Sequence, residues 1–469
     1  MAIEHKSIDY IAEHERHGRV IDQLPFWFLG NFHFFTIAIG FVGPSMGLSF
    51  GYTSLAGALG ILFGTLFVAF HASQGAELGL PQMIQSRAQF GYRGVVIVLF
   101  GTLFTFIGFN VADSVLMAGG LHGILGWNES IVILVAAAVA VAIAIYGHDW
   151  LHRIFRGCFW VCLPLYTGLT LAIVFGRVPA SHVTAGGFSW VAFIAQFAAS
   201  AAYNITYAPS VSDYSRYLPR NTPPHRVIAA VFIGATSAAI WLISLGAWLA
   251  TRIGASDGLV ALHAAGNAVA PGFGVVMALA SVTALIVTMG LNAYSGMLTV
   301  VTGLNSLFET PPSPRLRIAA IAAVAIAWIG ATFAITGNAI ALLFATLTIM
   351  LYLLVPWTAV NLVDYFFVRR GRYAITHLFD AAGIYGAWGG RGLLAYGLGF
   401  AATLPFFVLP DVYTGPAARA LGGIDIGWLV GLLVAGGSYL LLTRSMEVEL
   451  EAAAIRSSEA ELRDRYPAP

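Results

Sequence analysis

The sequence predicts an all-α integral membrane protein with twelve transmembrane helices. Three observations carry that prediction: an apolar composition, a regular recurrence of long apolar stretches, and a one-sided distribution of basic residues. Of 469 residues, 58% are hydrophobic and only 10% are charged, and the mean hydropathy is +0.81. A soluble domain carries about 25% charged residues, so this chain lacks the means to cover itself for water. Its net charge of +1 offers no footprint for nucleic acid. The two cysteines, Cys158 and Cys162, lie in one apolar stretch and are expected to pack rather than pair.

Stretches of roughly 20 apolar residues, enough to cross a bilayer, fall at 25–48, 52–72, 95–120, 129–147, 157–176 and 188–209. Six more follow at 226–251, 271–303, 317–336, 338–367, 393–410 and 424–443. Gly51-Tyr52, Gly147-His148, Thr310-Pro311-Pro312 and Gly389-Gly390 punctuate the gaps. Between the ninth and tenth stretches the short break "TGN" (336–338) does this work. Residues 1–24 are polar and charged, with no apolar core of a cleavable signal, and read as a cytoplasmic leader. Residues 25–443 form the twelve-helix membrane body, and 444–469 a cytoplasmic tail that reads as a surface helix.

Twelve spans place both termini on one side. With that side cytoplasmic, 20 of the 23 basic residues are inside, and only Arg177, Arg252 and Arg419 are outside. This is the asymmetry that the positive-inside rule requires, and it implies a multi-pass protein of the plasma or inner membrane.

Three spans depart from plain apolar sequence. The first, "PFWFLGNFHFFTIAIGFVGPSMG" (25–47), carries Asn31, His33 and Thr36 before Gly40, Gly43 and Pro44. The third holds Asn110 and Asp113. The sixth runs into "AAYNITYAPSVSDYSRYLPRN" (201–221), with Pro209 among polar residues and a charged rim after it. Ionisable groups inside spans are expensive and face a cavity or a partner. Interrupted helices at corresponding positions of two halves point to a transporter site. The first and sixth spans are five apart, which predicts two inverted five-helix repeats, about 25–176 and 188–367, plus two helices at about 393–443. Polar residues such as Asn31 and Thr36 also serve simply as interhelical glue, and Asp213 with Arg216 is expected to cap or pair at the rim.

The motif "GLPQMIQSRAQFGYRG" (79–94) resembles the loop signature of the nucleobase–cation symporter family 1, in its purine–cytosine permease branch. "YAPSVSDYSRYLPRN" (207–221) resembles the end of that family's sixth helix, and "NAYSG" (292–296) part of its eighth. "IEHKSIDYIAEHERHG" (3–18) is similar to the leader of bacterial members. The resemblance implies a LeuT-type five-plus-five fold. It also implies cation-coupled import of cytosine, purines, uracil, allantoin, hydantoins or a related flat ring. It further implies a stacking aromatic at Phe106, where relatives carry tryptophan, an edge-reading amide at Asn110, and ligand-facing Tyr203, Asn204, Thr206 and Tyr207. A broken helix at mid-depth is tolerated where protein or a wet cavity satisfies its backbone, which accounts for the order of residues in 201–221.

For the coupling ion, the resemblance implies a sodium site from first-helix carbonyls, at Phe35 and Ala38, with Ala284 and two hydroxyl positions on the eighth helix. Those positions hold Val287 and Thr288, so the oxygen shell of a sodium ion at Ala38, Ala284 and Thr288 is at least one ligand short. Ser281 and Thr283 restore the count only in a shifted register. His33 can take up a proton near neutral pH, and Asp113 is a second buried titratable candidate. The ligand count favours a proton over sodium. A facilitator or channel without coupling fits the hydropathy equally. A membrane-embedded enzyme would need His-Glu-x-x-His, Gly-x-Ser-x-Gly or a paired intramembrane aspartate, none of which the sequence contains. No cofactor and no obligate protein partner is expected; the expected partners are a small heterocycle and lipid.

Overall fold

A computed structural model of the chain describes residues 6–181, 184–255, 257–335, 339–409, 412–446 and 451–467. The break expected at 336–338 lies outside them. The chain opens with three helical pieces, α1 (Val20–Gly30), α2 (Phe34–Ile39) and α3 (Val42–Ser45), bent by 57° at the first break. Then come α4 (Phe50–Leu78), two single turns α5 (Gln82–Gln85) and α6 (Arg87–Phe90), and the long α7 (Val95–Leu125). The first half closes with α8 (Glu129–Tyr146) and α9 (His148–Val174).

The second half repeats the pattern. A broken pair, α10 (Trp190–Ile205) and α11 (Ala208–Ser215), precedes α12 (Pro224–Arg252), α13 (Gly258–Val269) and α14 (Phe273–Phe308). Next are α15 (Pro314–Ala334) and α16 (Ala339–Val363), the latter ending in a wide π-helical turn, Asp364–Val368. The last elements are α17 (Gly390–Thr403), a short hairpin β1 (Val408–Leu409) and β2 (Tyr413–Thr414), α18 (Pro416–Ala420), α19 (Gly427–Thr443) and α20 (Ala452–Arg465). Among the described residues eight helices are long and apolar enough to cross a membrane, and the bent first pair makes a ninth. The sixth, eleventh and twelfth expected stretches are filled by α10 with α11, by α17 and by α19. The fifth begins nine residues earlier than its hydropathy suggested, because His148 and Asp149 already belong to α9.

Small residues let the helices approach. A Cβ at Gly60 or Gly64 of α4 would lie 2.3 Å from a backbone oxygen of α10, Phe197 or Ala201 respectively. In the same way Gly40 and Gly246 let the end of α2 rest against α12. Van der Waals contact, rather than a hydrophobic drive, holds helices together in lipid. The outer faces are apolar: Leu134 and Val135 of α8 and Trp160 of α9 are exposed on the bundle surface.

The loops assigned to one side by their basic residues do share one end of the bundle. Leader residues Ile8, Ile11 and Ala12 are fully buried there. Ile11 N–H donates to the Gly79 carbonyl (2.9 Å), Gly18 N–H to that of Tyr217 (2.9 Å), and Arg16 Nη1 to that of Ala76 (2.7 Å). Arg216, itself buried, reaches the Ser7 carbonyl at 2.7 Å. The loop motif 79–94 is pinned by Arg87, which is fully buried rather than solvated. Its guanidinium donates to the Leu378 carbonyl (3.0 Å), Asn305 Oδ1 (2.8 Å) and Ser306 Oγ (2.8 Å) at the close of α14. Helix α20 docks on the same end, where Arg369 bridges Asp364 (2.6 Å) and Glu451 (3.0 Å) and Thr376 N–H donates to Ser458 (2.9 Å).

Candidate functional site

The two helix breaks meet and satisfy each other. Helix α1 stops at Gly30 and α2 restarts after His33, whose extended backbone (φ −148°, ψ 170°) cannot continue a helix. The carbonyls released there find side chains. Tyr207 hydroxyl, from the other break, donates to the Gly30 carbonyl at 2.6 Å, and His33 Nε2 approaches it at 3.1 Å. Thr36 Oγ1 donates to the Asn31 carbonyl (2.7 Å) and pairs with the Tyr203 hydroxyl (2.7 Å). Asn31 Nδ2 ties the break to α12 through the Ala235 carbonyl (3.0 Å). Between α10 and α11, Thr206 Oγ1 returns to the Tyr203 carbonyl (2.6 Å), and Pro209 sits in the first turn of α11, where a missing N–H costs little.

Helix α7 closes this junction. Phe106, Phe109, Asn110 and Asp113 follow an i, i+3, i+4, i+7 pattern and therefore share one face, and all four are buried. The Phe109 ring meets those of Phe35 (centroids 5.6 Å apart) and Tyr203 (6.2 Å), and Phe35 stacks on Tyr203 (5.7 Å). Phe106 packs toward α14 where Gly296 leaves room: a Cβ there would lie 3.6 Å from that of Phe106. Asn110 Nδ2 donates to the Met289 carbonyl (3.2 Å), and its Oδ1 accepts from Asn292 Nδ2 (3.0 Å). Asp113 has no hydrogen-bond or ion-pair partner among the described residues.

Tyr203 and Tyr207 brace the breaks with Phe35 and Phe109, while Phe106 and Asn110, on the same face of α7 as Phe109, meet α14 at Gly296, Met289 and Asn292. Asn204 faces elsewhere, donating to Thr65 of α4 at 2.5 Å, and the Thr206 hydroxyl is held by its own helix. Of the positions considered for a cation, Phe35 presents its ring to the aromatic cluster, and Ala38 lies against Gly258 of α13, where a Cβ would come within 3.6 Å of it. Val287 is buried and apolar, and Thr288 Oγ1 donates to the Ala284 carbonyl (3.3 Å). Ser281 is committed to Tyr166 of α9 (2.5 Å), and Thr283 is exposed on the outer face. His33 and Asp113 both belong to the junction. Phe109 and Asn292 were not singled out from sequence. The only signal was their spacing, one helical turn from Phe106 and from Thr288.

A pair of broken helices braced across each other, five spans apart, against a long helix of the first half, defines a membrane transporter of the five-plus-five kind. Solved structures share this fold. Mhp1, a nucleobase-cation-symport-1 family transporter in a closed conformation with bromovinylhydantoin bound, superposes with a TM-score of 0.73 at 18% identity, over 96% of this chain and 98% of that one. Its inward-facing conformation gives 0.68 at 17% identity, over the whole of both chains. By sequence, residues 10–431 match the family described as permeases for cytosine/purines, uracil, thiamine and allantoin, and the chain belongs to that family. It is 33% identical to the "Putative purine-cytosine permease YxlA" of Bacillus subtilis (strain 168) over 449 residues, 95% of this chain and 96% of that protein. It is 24% identical to the purine-cytosine permease fcyB of Emericella nidulans, over 95% of this chain and 89% of that one.

Proposed function

We propose that the protein is a secondary active transporter that imports a nucleobase or related planar nitrogen heterocycle by cation symport, alternating access around the junction of the two breaks. Membership of a permease family for cytosine, purines, uracil, thiamine and allantoin supports the substrate class. The observation that carries the reading is the pairing of Asn110 with Asn292 beside an aromatic wall. Their mutual bond and the Met289 carbonyl use one acceptor and two donors. What remains is one N–H on each amide and the Oδ1 of Asn292, two donors and an acceptor. A nucleobase edge presents the complement, and its faces stack on aromatic rings, worth about 1–3 kcal/mol per base.

In this reading Phe106 stacks on the ring and Asn110 reads its edge, with Tyr203 and Tyr207 forming the wall at the breaks. Thr206 acts through helix geometry, since its hydroxyl is spent on the Tyr203 carbonyl, and Asn204 through its N–H bond to Thr65 of α4, its Oδ1 lying buried and unpaired among the described residues. Coupling is to the proton, received by Asp113 with His33 as the nearby alternative. Asp113 supports this choice because it is buried and, among the described residues, unpartnered, whereas sodium lacks an oxygen at Val287. The repeats at about 25–176 and 188–367 move relative to one another, both termini lie in the cytoplasm, and the membrane is the plasma or inner membrane.

The test is uptake into a permease-deficient host with labelled cytosine, hypoxanthine, uracil, allantoin and thiamine in competition. One flat ring should dominate. Uptake should rise as external pH falls, collapse with a protonophore and persist when choline replaces sodium. Loss of uptake on sodium removal at constant pH overturns proton coupling, and accumulation no higher than equilibrium makes the protein a facilitator.

A further inference from the structure

At the end of the bundle that carries the leader, side chains from two segments converge outside the transport junction. His17 closes the leader, and His148 and Asp149 open α9. Both imidazoles aim at a single oxygen: His17 Nε2 lies 3.4 Å, and His148 Nδ1 3.0 Å, from Asp149 Oδ1. One ligating atom from each of the three residues lies within 4.8 Å of the others.

The far nitrogen of His17 makes this more than an ordinary contact. Its Nδ1 sits 2.9 Å from the Glu15 carbonyl oxygen, which can only accept, so Nδ1 carries the hydrogen. In the neutral ring Nε2 then turns a lone pair towards a carboxylate oxygen, an arrangement that is repulsive unless a cation stands between them. A backbone carbonyl on the second nitrogen is the usual way a metal-binding histidine is oriented. Tetrahedral ligands at 2.0–2.2 Å from an ion stand roughly 3.3–3.6 Å apart; the His17–Asp149 separation already meets this, and His148 Nδ1, at 3.0 Å, reaches it by a shift of a few tenths of an ångström.

We propose that His17, His148 and Asp149 form a binding site for a divalent transition ion of the zinc class, which ties the leader to the start of α9. Two imidazoles and a carboxylate suit such borderline ions. A cleft of about 240 Å³, lined also by His152 and Tyr217, opens onto the three residues and leaves room for water as a further ligand. The side chains of His17 and Asp149 are 59% and 61% exposed, so the ion enters without unfolding. Of the guanidinium groups around the cleft, Arg19 and Arg156 both lean on Asp22 (3.0 and 3.5 Å), which offsets their charge, and Arg153 completes the rim.

A proton is the competing occupant, because an imidazolium at His17 satisfies the same contact. Zinc titration of the full-length chain, purified in detergent, freed of its affinity tag and stripped with a chelator, separates the two. Calorimetry should show a single saturable zinc ion per chain. His17→Ala and Asp149→Asn should each weaken binding by about tenfold or more, and His17→Cys, which keeps a ligand, should restore it. Both positions are exposed, so unchanged melting of the metal-free variants is the control for folding. Saturable binding absent from the wild type, or equal in wild type and the His17→Ala/Asp149→Asn double variant, assigns the contact to a proton and overturns the site.

Discussion

Asn292 makes one hydrogen bond to another side chain, and that bond holds Asn110 in place. Removing it leaves a buried amide short of a partner, which costs about 1–3 kcal/mol. Asn292→Leu is therefore expected to weaken substrate binding roughly 5- to 150-fold while the protein still reaches the membrane; competition uptake with unlabelled ligand measures the change. Phe106→Ala should lower affinity, and Phe106→Trp should keep it, because only the first removes a stacking face. Asn204→Ala separates the two kinds of polar residue in the sixth span. With its amide on Thr65, it should lower the melting temperature and leave the apparent KM near that of the wild type; a KM change without loss of stability would return Asn204 to the substrate. The family resemblance put Phe106 and Asn110 forward as site candidates, and the polar residues of the sixth span put forward Tyr203 and Tyr207. The direction of Asn204 and the roles of Phe109 and Asn292 were not, because periodicity shows which residues share a face and is silent on which helix stands opposite.

Among the elements, eight of the twelve apolar stretches match helices long and apolar enough to cross a membrane, and the first matches a bent pair, since a bilayer fixes the length of a spanning helix more tightly than water does. The shorter pieces escaped. Helix α13, at 12 residues, is too short to register as a span, and α5 and α6 are single turns held by Gln82 on α11 and by Arg87 on the end of α14 rather than by their own propensity. The breaks were signalled by Asn31, His33 and Thr36 before Gly40, Gly43 and Pro44 in the first span and by Pro209 among polar residues in the sixth, but not their mutual bracing through Tyr207 and Gly30. Close approach of α4 to α10 depends on the missing side chain at Gly64. Gly64→Leu forces a side chain onto the Ala201 carbonyl and should destabilise the bundle by about 1–3 kcal/mol, seen as an earlier melting transition in detergent. Unchanged melting would mean that α4 and α10 stand far enough apart to admit a side chain between them.

For the whole molecule, the asymmetry of basic residues and the gathering of their loops at one end tell the same story from independent directions. In a background lacking Cys158 and Cys162, Arg177→Cys and Arg419→Cys should react with an impermeant thiol reagent on intact cells. Arg372→Cys and Arg456→Cys should react only after permeabilisation. Labelling of Arg372→Cys from outside inverts the orientation.

The buried leader has a consequence for how the chain is made. Ser7 touches Met297, 290 residues further along the sequence, and Lys6 lies over the ring of Tyr466 just past the final helix. The leader bonds early to the end of α4 at Ala76 and Gly79, but Ser7 and Lys6 complete their contacts only once α14 and the end of α20 have been made. Assembly of this end is therefore finished late, and the leader works as a clasp that joins α4 to α14 and α20.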